Sequence, residues 1–286
     1  MENNKNILLA LIAMAFLAMG GIFVRMSPMG PINTGLWRIA LSLPILFPLL
    51  LIEKKYAQVN RLRRKAILLL FMAGVFLGFD LALWNIAFHH TTIANANIFS
   101  NFVPFIIIPF SYFFYKEAIS RNFFIGSIIV LFGTALIIFG KSSPASFHLL
   151  GDTIALSVSF FYAAFLMSVY KLRHQASAIQ IMYYSGYGSL VVLFIICLLT
   201  EGIETPTSWA MLAPSLGLAI FSQILGQGGL SFTLGRISAS LASILVLTQP
   251  VLAALYAFFL FHETLSPVEI GGLFIVLYGI YLVKRK

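Results

Sequence analysis

A stretch from Thr92 to Phe139 returns, shifted by 146 residues without a gap, from Ser238 to Arg285. The register pairs Pro104 with Pro250, Glu117 with Glu263, Ser120 with Ser266, Gly126 with Gly272 and Gly133 with Gly279. Apolar matches are cheap in a chain this hydrophobic, but a Pro, Glu, Ser, Gly, Gly series held in step is not. Self-similarity at a fixed offset is the mark of a duplicated unit, so the fold has to be built from two copies of one element set.

Composition says where that unit resides. Hydrophobic residues make up 60% and charged residues 9% of the chain, against about 25% charged in soluble domains. A bilayer-spanning helix needs about 20 mostly apolar residues. Such runs fall at 6–26, 33–52, 65–88, 93–115, 121–140, 149–170, 177–200, 208–234, 239–261 and 267–283. These are spans 1 to 10. The run after Lys5 continues to about Val24, beyond a signal peptide's apolar core of about 7–15 residues, and reads as an uncleaved first span. Cys197 is the only cysteine, which excludes an intramolecular disulfide and a cysteine metal site. No nucleic-acid partner is expected, because the basic residues behind the net charge of +9 sit in short loops.

Those loops orient the chain. With the N-terminus inside, fifteen Lys and Arg fall on the cytoplasmic side, Lys5, Lys54, Lys55, Arg61, Arg63, Arg64, Lys65, Lys116, Arg121, Lys171, Arg173, Arg236, Lys284, Arg285 and Lys286, against Lys141 alone outside. This bias predicts that both termini are cytoplasmic. A duplicated unit of five spans must enter the membrane upside down in its second copy. The expected architecture is therefore all-α and integral to the membrane, ten transmembrane helices as two inverted five-helix repeats, residues 1–140 and 149–286. The loop Lys116-Glu-Ala-Ile-Ser-Arg121 becomes His262-Glu-Thr-Leu-Ser-Pro267 in the second copy, with both basic residues gone, as an inverted placement requires.

Small and polar residues entering span 4, a Pro near its middle, a Glu at its end, then Ser and two glycines seven apart in span 5, repeated in the second half, resemble the EamA-like branch of the drug/metabolite transporter superfamily. The resemblance covers essentially the whole chain. It implies a transporter with a central cavity lined mainly by helices 1, 3, 4, 6, 8 and 9, with helices 5 and 10 peripheral. The family exports amino acids and other metabolites, and some members import nucleotide-sugar or nucleoside-like molecules.

Within that frame Asp80 stands out, well inside span 3. A charge at mid-bilayer costs about 2.5–3.5 kcal/mol on insertion scales, so it faces a cavity or a partner. Proton coupling, a counter-ion for a substrate amine, or an ion pair with Arg38 of span 2 are the open readings. At helical spacing Asn97, Ser100, Asn101 and Pro104 share one face of span 4, and Gln223 and Gln227 form a stripe on span 8. Amides facing lipid would lack partners, so both stripes face protein or water. Pro104 and Pro250 each remove a backbone hydrogen bond, and matched interruptions in a repeat pair point to the central site and its hinges. Among the aromatics, Trp37, Trp84, Tyr162, Tyr183 and Tyr187 are the candidates for a substrate wall. The five histidines are scattered, so no metal site is expected. Glu117 and Glu263 lie at span ends and read as structural, with Ser266-Pro-Val-Glu269 a capping box.

These residues predict a secondary transporter of a bacterial inner membrane, acting as a monomer by alternating access, without a cofactor. Its expected cargo is a small amino-acid-like metabolite moved outward, by facilitation or proton exchange. The alternative is uptake of a larger nucleoside-like metabolite. An intramembrane enzyme would need companions that Asp80 lacks, and a non-transporting scaffold would have no use for inverted halves.

Overall fold

The computed structural model describes residues 4–56, 62–87, 89–117, 119–140, 148–262 and 264–284. Glu263, Arg61, Lys141, Arg285 and Lys286, used above, lie outside the described residues. Among those described, nine helices are long and apolar enough to cross a membrane, and Pro267–Val283 is a shorter apolar tenth. This is a multi-pass membrane protein.

Span 1 (Asn4–Met26), span 2 (Pro31–Tyr56), span 3 (Arg64–Ala87), span 5 (Arg121–Gly140), span 6 (Leu149–Leu172), span 7 (Ala178–Leu199) and span 10 (Pro267–Lys284) are single helices. The 20 residues of span 5 rise about 30 Å, one hydrocarbon thickness. Its large residues Phe124, Ile128 and Phe132 are exposed while Gly126, Val130 and Gly133 are buried. That arrangement belongs to a lipid-facing helix, where small residues let backbones meet.

Spans 4 and 9 are not merely kinked; each is broken, at the same place in the repeat. Span 4 consists of Ile93–Ser100 and Val103–Phe114, and span 9 of Ala239–Val246 and Gln249–Phe261. Pro104 and Pro250 are the second residues of the distal segments, where the missing N–H costs least. The turns close by tighter bonds: Asn101 N donates to Ile98 O at 3.1 Å and Leu247 N to Ile244 O at 3.0 Å. In span 4 this leaves the Asn97 carbonyl without its usual donor. Asn101 Nδ2 at 2.6 Å and Ser100 Oγ at 3.1 Å take its place. Span 8 is also irregular, with α-helical Trp209–Gly217 and Gly228–Thr233 flanking a π-helical stretch, Leu218–Gln227.

Glycines set the closest approaches. A Cβ on Gly126 would lie 2.8 Å from Gly279 O, and one on Gly133 2.9 Å from Gly272 O. The reverse holds for Gly272 against Gly133 O at 2.8 Å and Gly279 against Gly126 O at 2.9 Å. Repeat mates thus face one another, and because residue 126 meets 279 while 133 meets 272, spans 5 and 10 run antiparallel. Span 8 packs on span 1 in the same manner, Gly226 against the Leu17 backbone and Gly229 against Ala13. Gly133→Ala should therefore force spans 5 and 10 apart at a cost of about 1–3 kcal/mol, read as a lower melting temperature in detergent. Gly271→Ala, with open space around its Cβ, should be neutral or stabilising by up to about 1 kcal/mol. Equal effects of the two would contradict the seam.

Carboxylates tie one half to the other at helix N-termini. Glu201, after span 7, accepts from Ile32 N at 3.1 Å and Asn33 N at 3.0 Å at the start of span 2. Glu53, near the end of span 2, accepts from Ser177 Oγ at 2.5 Å, and Ser177 with Gln180 forms the capping box that opens span 7. Glu117, after span 4, accepts from Ala239 N at 3.1 Å and from Ser240 N and Oγ at 3.3 and 2.5 Å, capping span 9. It caps a helix of the other half rather than the one that follows it. The Ser266–Glu269 capping box forms, with Ser266 N donating to Glu269 at 2.8 Å and Glu269 N to Ser266 Oγ at 3.2 Å.

Candidate functional site

A cavity of about 450 Å³ lies between the halves. Its wall takes residues from spans 1, 3, 4, 6, 8 and 9, and also Arg38 from span 2 and Ile137 and Ile138 from span 5. It reaches from Leu77 and Gln227 at mid-depth to Val24 and Pro31, beside the turn joining spans 1 and 2. Toward the opposite face, where span 1 begins and span 10 ends, Leu172, Ala176, Leu234, Ile237, Ala239 and Leu241 close the core.

Span 3 gives one helical face to the cavity, Leu77, Asp80, Leu81, Trp84 and Asn85, the spacing of one stripe on an α-helix. Asp80 is half-buried and accessible from the cavity. Asn97, Ser100 and Asn101 present the break of span 4. The side chains of Ser100 and Asn101 repair that break by bonding the Asn97 carbonyl, so this polar stripe is both structural and cavity-facing. Pro104 is buried off the wall, whereas Pro250 lies on it beside Gln249.

Arg38 is only 9% exposed. It does not pair with Asp80 directly; its Nε donates to Gln223 Oε1 at 2.9 Å. Gln223, 1% exposed and off the cavity wall, is thereby a support for Arg38 rather than a wall residue. Gln227 does reach the cavity, and its Oε1 accepts from Tyr162 OH at 3.4 Å. Two buried polar atoms on this wall have no hydrogen-bond partner, Ser222 Oγ and Gln227 Nε2. π-helical turns recur at functional sites, and the one here carries Ser222, Gln223 and Gln227.

Trp37 lies elsewhere. Its Nε1 donates to Glu204 O at 2.7 Å, and its ring lines a separate apolar groove with Leu36, Leu190 and Phe194. Tyr183 and Tyr187 bond one another at 2.9 Å and are not part of the cavity wall. Polar wall residues that the sequence did not single out include Ser222 and Asn85. Arg38 was visible as a second intramembrane charge, and its neighbours on span 8 follow from it. Among the described residues no three His, Cys, Asp or Glu side chains gather as metal ligands.

The model of the EamA-like transporter family matches residues 4–139 and again residues 149–285. The chain is similar to an uncharacterized transporter of Methanothermobacter thermautotrophicus, 26% identical over 203 residues that make up 68% of this chain and 57% of that protein. It is also similar to an uncharacterized transporter of Archaeoglobus fulgidus, 27% identical over 198 residues, 67% of each chain. The chain thus spans little more than half the length of the first of these relatives. A solved crystal structure of a protein superposes with a TM-score of 0.84 over 98% of this chain and 97% of its own, at 14% identity. That likeness bears on the fold.

Proposed function

The chain belongs to the EamA-like transporter family, and from that premise we propose that it moves a small amphipathic, amino-acid-like metabolite outward across a bacterial inner membrane. The observation that carries this reading is the cavity wall, mostly apolar with one cation, Arg38, and one carboxylate, Asp80, that do not neutralise each other by direct contact. Such a wall suits a zwitterion with an apolar side chain, whose two charged ends meet opposite charges in a medium where such contacts are strong.

Alternating access between inverted halves is the mechanism. Support comes from the antiparallel packing of repeat mates 5 and 10, from the breaks at matching places in spans 4 and 9, and from the reciprocal caps of spans 2 and 7. Pro104 and Pro250 mark the hinges, since a broken helix bends without stretching an unbroken ladder of bonds. The charge bias puts both termini in the cytoplasm, so the cavity faces outward in this structure. One chain holds both halves and suffices for transport. Uptake of a larger nucleoside-like metabolite would be favoured by a polar, anionic pocket, and Arg38 counters that.

Ligand-dependent stabilisation of the purified protein tests the reading. A ligand at about 100 times its Kd stabilises the fold by about 2.7 kcal/mol. An amino acid with an apolar side chain is expected to raise the melting temperature by several degrees. Stabilisation by nucleosides and by no amino acid would overturn the assignment.

A further inference from the structure

The cavity holds more hydrogen-bond donors than the protein itself uses. Arg38 has five N–H donors in a planar fork, and its hydrogen bond within the chain is the one from Nε to Gln223. Its two Nη atoms have no acceptor among the described residues, although the side chain lies on the cavity wall and is 91% buried by its 9% exposure. Ser222 and Gln227 line the same wall, each residue 1% exposed, and Ser222 Oγ and Gln227 Nε2 are buried without a partner among the described residues. Buried donors are nearly always satisfied, because an unsatisfied one keeps its desolvation cost without a bond to offset it.

The serine makes the pattern specific. Of the described helical serines whose Oγ is buried without a partner, Ser111, Ser185 and Ser222, only Ser222 lines the cavity; others turn back on their own helix, Ser42 Oγ to Ile39 O, Ser159 Oγ to Leu156 O, Ser168 Oγ to Ala164 O and Ser231 Oγ to Gln227 O. Ser222 does not. It lies within the π-helical stretch, where backbone bonds run i to i+5 and the local carbonyls are displaced from their α-helical positions. The same stretch brings Gln223 to Arg38 Nε, which fixes the plane of the guanidinium.

We propose that Arg38, Ser222 and Gln227 form an anion subsite that takes a carboxylate of the transported molecule, with Gln223 as the positioning residue behind Arg38. The inference rests on the transport reading and assigns one end of its substrate. Carboxylate geometry suits a guanidinium whose Nη edge is open, because the planar fork and the planar anion pair bidentately. A single charge also suits it. The wall carries one cation, Arg38, and one carboxylate, Asp80, so a carboxylate that pairs with Arg38 uses the single cation and leaves none for the second charge of a phosphate dianion. Asp80 is left for the cationic end.

The test needs no knowledge of the cargo. Trp37 and Trp209 lie off the cavity wall and Trp84 lies on it, so Trp37→Phe with Trp209→Phe leaves one fluorescent reporter at the site. Phenylacetate and hexanoate, titrated into that protein, should give a saturable change with an apparent affinity at least about tenfold tighter than phenylacetamide and hexanamide. Arg38→Gln should abolish that preference. Ser222→Ala, the removal of one buried oxygen, should weaken the carboxylates about three- to tenfold while phenethylamine binds as before, and it decides the matter if Arg38→Gln does not fold. Amides binding as well as carboxylates, inorganic phosphate binding in preference, or carboxylates unaffected by Ser222→Ala and Arg38→Gln would overturn the subsite. Carboxylate selectivity in a protein that exchanges no amino acid would uphold the subsite and refute the transport reading, so the two fail separately.

Discussion

Bridging position 117 to position 240 should stop exchange. In this structure the Glu117 carboxylate reaches Ser240 Oγ at 2.5 Å and two backbone amides at the start of span 9. That contact closes the face opposite the cavity, beside Tyr115, whose hydroxyl donates to Met167 O at 3.3 Å. For the cavity to open toward this face, spans 4 and 9 must part here, and a covalent tether forbids it. With Cys197 replaced by Ser, the variant carrying Glu117→Cys and Ser240→Cys, joined by a short bis-methanethiosulfonate that forms a disulfide with each thiol, is expected to lose more than about 90% of its exchange, a barrier increase above about 1.4 kcal/mol. Reduction should restore it. The untethered variant should exchange while melting lower, because the amides at the start of span 9 lose their cap at a cost of about 1–3 kcal/mol. Full exchange in the tethered protein would mean that this face does not open.

The second large effect is expected at Asp80. Asp80→Asn keeps the shape of the side chain and removes the single carboxylate of the described cavity wall. Because Arg38 is held by Gln223 rather than by Asp80, the substitution does not orphan a hydrogen-bonded partner, and the variant should fold. Accumulation driven by an imposed pH gradient in proteoliposomes should fall at least tenfold, about 1.4 kcal/mol or more in the driven step. Exchange that survives in Asp80→Asn and ignores the gradient would make the protein a facilitator in which Asp80 is structural.

The membrane class was legible because apolar runs of bilayer length leave few alternatives, and the family because its pattern occurs twice. The breaks of spans 4 and 9 were foreshadowed by Pro104 and Pro250, though their depth was not. A proline predicts a lost bond, and whether the helix bends or stops depends on side chains such as Asn101 that satisfy the freed carbonyl. The π-helical stretch had no local signal. Gly226 within it, and Gly217 and Gly229 on either side, pack on span 1, a tertiary cause that a sequence window does not contain. It also separates Gln223 from Gln227, which α-helical spacing had placed together: one supports Arg38 and the other faces the cavity. Arg38 and Asp80 made the obvious ion pair on charge alone, but the structure gave Arg38 an amide instead. Trp37 precedes Arg38 directly, and adjacent helical residues point about 100° apart; here that turn takes Trp37 to the apolar groove while Arg38 lines the cavity.

Counterflow separates an amino-acid transporter from a nucleoside carrier. Proteoliposomes loaded with one L-amino acid at a time are offered the same labelled compound outside. The account predicts transient accumulation of at least one amino acid with an apolar side chain, dependent on the internal load and abolished by the tether between positions 117 and 240. Absence of counterflow for every amino acid, with exchange of nucleosides in the same vesicles, would contradict it.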